Sequence, residues 1–171
     1  MPTVIYAIGH STRAIDDFLQ ILEAHSISML VDIRTIPKSR HNPQFNEDVL
    51  KTSLEKRCIA YAHCRELGGL RKAKKDSINA GWKNASFRGF ADYMQTREFA
   101  SAIRRLMQLA KLGHTAIMCA EGNPFRCHRS LVADALTVRK VRVLHISSRT
   151  STRVHTMTEF AKINGTKITY P

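Results

Sequence analysis

The segment Cys119-Ala120-Glu121-Gly122-Asn123-Pro124-Phe125-Arg126-Cys127-His128-Arg129 holds two thiols, a carboxylate, an imidazole and two guanidiniums. It lies between an apolar run that ends at Met118 and another that resumes at Leu131. A thiol closing a strand, just before a glycine-containing loop and a helix, would face backbone N–H groups and the positive end of the helix dipole. Arg126 and Arg129 add positive field. All of these lower a thiol pKa toward the thiolate, the form that acts as a nucleophile. Cys119 is therefore the candidate nucleophile. Glu121, or His10 from another strand end, is the candidate proton carrier. The competing expectation is a buried cysteine that packs as a small hydrophobe.

Four cations suggest a second kind of chemistry. Arg34, Lys38, Arg40 and Arg129 would clamp an anion, most simply a phosphate, with Ser11, Asp32, Cys127 and His128 beside them as substrate-binding candidates. Arg34 directly follows a buried strand, where a charge is costly without a partner. Asp32 or Glu121 would supply that partner and leave nothing functional behind. Cys119, Cys127 and His128, joined by His63 or Cys64, have the softness zinc prefers. Their spacing fits no standard finger or ribbon, and Cys127 and His128 are adjacent, so no metal is expected. The letters name no cofactor.

Positioning these groups requires strands that end together. Val4 to Ile8 is an apolar run that stops at Gly9-His10-Ser11, and Ile15, Phe18, Leu19 and Leu22 then recur at helical spacing. Met29 to Ile33 reads as a second buried strand that opens into a polar loop from Arg34 to Gln44. Asn46 would cap a helix through about Arg57, ahead of a short strand from Ile59 to His63. Helical spacing returns at Phe99, Ile103, Leu106, Met107 and Ala110. His114 to Cys119 is the fourth strand, Leu131 to Leu136 a helix and Val141 to Ile146 the fifth strand. A short helix is expected near 158–163, and Asn164-Gly165 then turns the chain into an edge strand, Thr166 to Tyr170.

This alternation predicts one α/β domain over residues 1–171, with a mostly parallel, Rossmann-like sheet of about five strands covered by helices on both faces. Such sheets bind ligands outside the carboxyl ends of their strands. That rim is where His10, Ser11, Asp32, Arg34, His63, Cys119 and Cys127-His128-Arg129 fall.

An irregular insertion or lid is expected at 64–96, between the third and fourth strands. It interleaves Arg71, Lys72, Lys74, Lys75, Lys83 and Arg88 with Trp82, Phe87, Phe90 and Tyr93. Cations beside aromatics can grip phosphates while rings stack on bases. The plainer expectation is that Phe90 and Tyr93 anchor the segment while its lysines face water. Gly68-Gly69 would let it hinge or lie close to a ligand.

A net charge of +13 and a pI near 10.1 favour an anionic partner, either a phosphate-bearing small molecule or nucleic acid. No apolar run approaches the ~20 residues of a membrane span, and the N-terminus lacks the pattern of a signal peptide. Four unpatterned cysteines fit a cytoplasmic protein with reduced thiols.

The Cys119 segment has the general arrangement of rhodanese and cysteine-phosphatase loops, and Leu30-Val31-Asp32-Ile33-Arg34 resembles the early strand of a rhodanese domain. It also departs from them. Phe125 stands where the phosphatase pattern has its arginine, and Pro124 interrupts the run of N–H donors.

A closer likeness rests on motifs spread along nearly the whole chain. These are Gly9-His10-Ser11, Asp32-Ile33-Arg34 with Pro37 and Ser39-Arg40, Glu66-Leu67-Gly68-Gly69, Ala91-Asp92-Tyr93-Met94, and Cys119-Ala120-Glu121 with Cys127-His128-Arg129. In this order the set resembles the family called domain of unknown function 488. The resemblance implies a small α/β protein whose polar groups form one site, and it implies no activity. The residues themselves favour an enzyme acting on a nucleotide, nucleic acid or other phosphate-bearing substrate. Two alternatives stay open: a non-catalytic nucleic-acid-binding module, and a rhodanese-like thiol protein.

Overall fold

A computed structural model describes residues 2–171. The apolar runs form five parallel strands: β1 (Val4–Gly9), β2 (Met29–Asp32), β3 (Ala60–His63), β4 (Thr115–Cys119) and β5 (Arg142–Ile146). β6 (Thr152–Val154) adds antiparallel to β5, giving the spatial order β3-β2-β4-β1-β5-β6. The sheet thus has one strand more than the sequence suggests, an exposed three-residue edge with no apolar alternation to reveal it.

Helices cover both faces. α1 (Ile15–Ala24) and α2 (Glu47–Glu55) bury Phe18, Leu22, Leu50 and Leu54 against Ile8, Leu30, Ala116 and Met118. α3 (Ala85–Tyr93), α4 (Arg97–Leu109) and α5 (Arg129–Thr137) bury Phe90, Ile103, Leu106 and Leu131 against Ile5, Val31, Ile117 and Val143. Alternate residues of each strand serve opposite cores, as a parallel sheet covered twice requires. Each fully buried large apolar side chain contributes about 2 kcal/mol from removed surface alone.

The 64–96 segment is less irregular than its letters suggest. Asn84 caps α3, its side-chain oxygen accepting from Ser86 N at 2.8 Å and Phe87 N at 3.3 Å. The Asp92 carboxylate accepts from Lys74 N, Ser77 Oγ and Asn79 Nδ2, and Tyr93 donates to the Glu66 carbonyl. Phe90 is buried, Lys72, Lys74, Lys75 and Lys83 are exposed, and Trp82 packs among Phe87, Phe160 and Tyr170.

Two local expectations need correction. Asn46 stands at the start of α2 but does not cap it, because its side chain accepts from Ser39 N at 2.8 Å and ties down the polar loop instead. No helix forms near 158–163. β7 (Lys162–Asn164) and β8 (Lys167–Thr169) make a separate hairpin, turned at Gly165 with its φ of 64°. Burying Ile168 and Tyr170 outweighs the weak helical spacing there. Among the described residues no helix is long and apolar enough to cross a membrane.

Candidate functional site

β1 and β4 are neighbours whose following helices leave on opposite faces, so their carboxyl ends mark the topological switch point. The two exit loops run side by side there. His10 N donates to Cys119 O and Ser11 N to Ala120 O, both at 2.9 Å. A Cβ on Gly9 would collide with the Glu121 carbonyl, so only glycine permits this approach. Ser11 completes the crossing with φ at 52°, a conformation costly for a residue with a side chain.

The Cys119 and Cys127 sulfurs stand 2.9 Å apart, both nearly buried. Arg129 N donates to Cys127 Sγ at 3.4 Å, and the Cys127 thiol hydrogen is turned toward Cys119. That hydrogen bond, helped by the Arg129 charge and opposed by burial, holds Cys119 below the usual thiol range. The same interaction and burial push Cys127 up. The pair is asymmetric: Cys119 is shifted toward the thiolate and Cys127 toward the thiol.

His128 Nε2 faces the Ile33 carbonyl at 3.1 Å. A carbonyl only accepts, so Nε2 carries the proton. Burial pushes the ring down to about 4, leaving it neutral at neutral pH. Nδ1 is then an acceptor, 3.5 Å from Cys127 Sγ. Gly69 packs against this ring and Gly68 against Thr35, so the glycine pair serves close approach within the protein.

A neighbouring network encloses Arg34. It donates Nε and Nη2 to both Asp32 oxygens at 2.7–3.2 Å and Nη2 to the Phe45 carbonyl at 2.8 Å. Tyr61 also donates to Asp32, at 2.8 Å. Asp32 is thus the partner that burial of Arg34 requires. Arg34 Nη1 has no partner among the described residues. His10 stacks on Phe45 at 4.2 Å, its pKa lowered by burial, with Nε2 unpartnered.

The rim carries two cavities separated by the 120–126 loop. One, about 440 Å³, is lined by Arg34, Lys38, Cys119, Glu121, Cys127 and His128, so these site candidates meet in one place. The other, about 670 Å³, is lined by Ser11 and Arg129 with Arg13 and Arg153. His10 and Asp32 lie beneath the rim and line neither cavity, and Arg40 is exposed outside both. His63 faces the Arg34 carbonyl and Cys64 faces Glu66, and neither is hydrogen-bonded to the Cys119–Cys127 pair. Among the described residues no three His, Cys, Asp or Glu groups converge to hold a metal.

Residues 14–136 match the family model "Domain of unknown function DUF488". The chain belongs to this family. The DUF488 match includes Asp32, Arg34, Cys119, Glu121 and the Cys127-His128-Arg129 triplet. It begins after Gly9-His10-Ser11, so it is shorter than the likeness read from the letters. No curated protein and no solved structure matches the DUF488 chain.

Sequence reasoning missed one buried polar chain. Asp134 on α5 accepts from His155 Nε2 at 2.8 Å, Thr158 Oγ1 at 2.6 Å and Tyr170 Oη at 2.8 Å, and His155 Nδ1 meets His145 Nε2 at 2.8 Å. The only signal was single polar letters, Asp134 and His145, inside apolar elements, where a polar group must find a partner.

Proposed function

We propose that this protein is an enzyme acting on a phosphate-bearing substrate, such as a nucleotide or nucleic acid, by nucleophilic attack from Cys119. The observation that carries the reading is the asymmetric thiol pair, with Cys119 at the wall of a 440 Å³ cavity and its thiolate held by the Cys127 hydrogen bond and the Arg129 charge. Lys38, Arg126 and the free Nη1 of Arg34 supply cationic donors around that cavity. The neutral His128 ring offers an acceptor for the Cys127 proton, and Glu121 lies at the same wall. Cys119 bonds to the electrophilic centre, and the leaving group departs with its electron pair and takes a proton from water, relayed by Glu121 at the same wall.

A second reading is favoured by the short sulfur–sulfur distance: rhodanese-like thiol chemistry, in which Cys119 attacks the outer sulfur of a donor such as thiosulfate, forming a persulfide while sulfite leaves with the electrons of the broken S–S bond. One experiment separates the two. Alkylation of Cys119 is followed by mass spectrometry with and without nucleoside phosphates, and with thiosulfate. Protection by a nucleoside phosphate that weakens in Lys38→Ala supports phosphate-bearing substrates. A gain of one sulfur at Cys119 with thiosulfate supports the second reading. Alkylation unaffected by any of these ligands removes both.

A further inference from the structure

The 670 Å³ cavity on the far side of the 120–126 loop is not lined by Cys119 and shares only Arg129 with the thiol chemistry. Its size is that of a small-molecule site. Arg13, Arg129 and Arg153 line it, and no carboxylate does. Arg129 is 1% exposed and forms no ion pair among the described residues. Its Nη2 donates to the Gly122 carbonyl at 3.2 Å, while Nε and Nη1 have no partner among the described residues. Cys119, shifted toward the thiolate by the Cys127 hydrogen bond and the Arg129 charge, accepts none of the guanidinium N–H groups. Arg13 stands close enough for Arg129 to disfavour its charge. Like charges gathered at one cavity wall, with buried donors of Arg129 unused, are stabilised by an anion.

The second polar feature of this wall has the opposite sense. Asp134, a carboxylate satisfied by Thr158, Tyr170 and His155, can only accept, so His155 Nε2 carries a proton. With its Nε2 proton directed at Asp134, His155 turns Nδ1 to His145 Nε2 at 2.8 Å, and we take that Nδ1 as the acceptor, which places the His145 proton on Nε2. His145 Nδ1 is then a bare lone pair, 7% exposed as a residue, lining the cavity and lacking a partner. Burial keeps that ring neutral. Donors alone would fit any anion, but donors beside a fixed acceptor fit an anion that also carries a hydrogen.

We propose that this cavity is a second ligand site, distinct from the Cys119 cavity, for a phosphate that presents an O–H group. Arg129, Arg13 and Arg153 bind the phosphate oxygens, and His145 Nδ1 accepts the hydroxyl. Inorganic hydrogen phosphate and a hydroxyl-bearing phosphorylated metabolite share this chemistry. Sulfate, with the same shape and no O–H near neutral pH, does not, because its oxygens would face the His145 lone pair.

The test is calorimetric titration of the full chain near neutral pH with inorganic phosphate, sulfate and ribose 5-phosphate. Phosphate is expected to bind about tenfold more tightly than sulfate, as an unpaired buried acceptor demands. His145→Phe removes that preference. The exposed Arg153→Ala, which leaves the buried core intact, weakens phosphate severalfold, and Arg129→Lys weakens it further. Lys38→Ala, in the other cavity, leaves it unchanged while weakening nucleoside-phosphate protection of Cys119, so failure of this site and failure of the thiol site are distinguishable. Tighter binding of ribose 5-phosphate identifies a phosphorylated metabolite as the occupant, and tighter inorganic phosphate identifies the free ion. Equal affinity for sulfate and phosphate, or phosphate binding insensitive to Arg153→Ala and Arg129→Lys, overturns the proposal.

Discussion

Cys119 and Cys127 have the same side chain and opposite tendencies, because each sits in a different hydrogen-bonding position. Cys127 accepts from Arg129 N and gives its thiol hydrogen to Cys119, which ionises in its place. Cys127→Ala deletes the donor, and the rate of Cys119 alkylation at neutral pH is expected to fall severalfold. Cys127→Ser, which keeps an O–H donor, restores most of it. If Cys127 merely packs, Ser and Ala behave alike. Arg34 has a different dependence, since its charge is held by Asp32 on both oxygens. Asp32→Asn leaves that guanidinium buried beside a neutral amide and is expected to cost about 3 kcal/mol in denaturant unfolding. Little or no loss would mean that water reaches Arg34 and that the pair is not structural.

At the scale of elements, the five parallel strands were legible because each is a short apolar run stopped by polar or glycine residues. Five strands with helices between them already imply a common rim, and Arg34, Cys119, Glu121, Cys127 and His128 do line one cavity there. What the letters could not separate was the rim into two cavities, because that depends on how closely the β1 and β4 exit loops cross. Gly9 sets this crossing. Gly9→Ala is expected to force the loops apart, lowering stability by about 1–3 kcal/mol and slowing Cys119 alkylation. α3 was missed although Asn84, Phe87, Phe90 and Ala91 carry its signal, since Gly89 and the surrounding lysines obscure the pattern. Placing Trp82 against three other aromatics gives it a packing role. Trp82→Ala should cost roughly 3 kcal/mol in a melt while leaving oligonucleotide affinity unchanged. A large loss of affinity in a variant that stays folded would return the base-stacking expectation for this segment.

Burial pushes down the pKa of His10, His128 and His145, and this shapes the response of the whole molecule to acid. His128 is pushed down to about 4 and His145 to about 3, both by burial, against an ordinary value of 6.5. Below 6.5 the unfolded chain binds protons at these positions that the folded chain refuses, so stability falls as pH drops and the loss levels off only below about 3. Urea unfolding from pH 7 to pH 4 should show a loss of a few kcal/mol, with a shallower slope in His145→Phe. A flat profile would place both rings in contact with solvent. The polar chain from Asp134 through His155 to His145 joins α5, β5 and the tail after β6, a long-range assembly that no local pattern announces. The most direct test of the central claim is the pH profile of Cys119 alkylation by iodoacetamide in the full chain, read peptide by peptide beside the exposed Cys58. The account predicts a Cys119 midpoint clearly below that of Cys58, moving upward in Cys127→Ala. A Cys119 midpoint at or above that of Cys58 would contradict it.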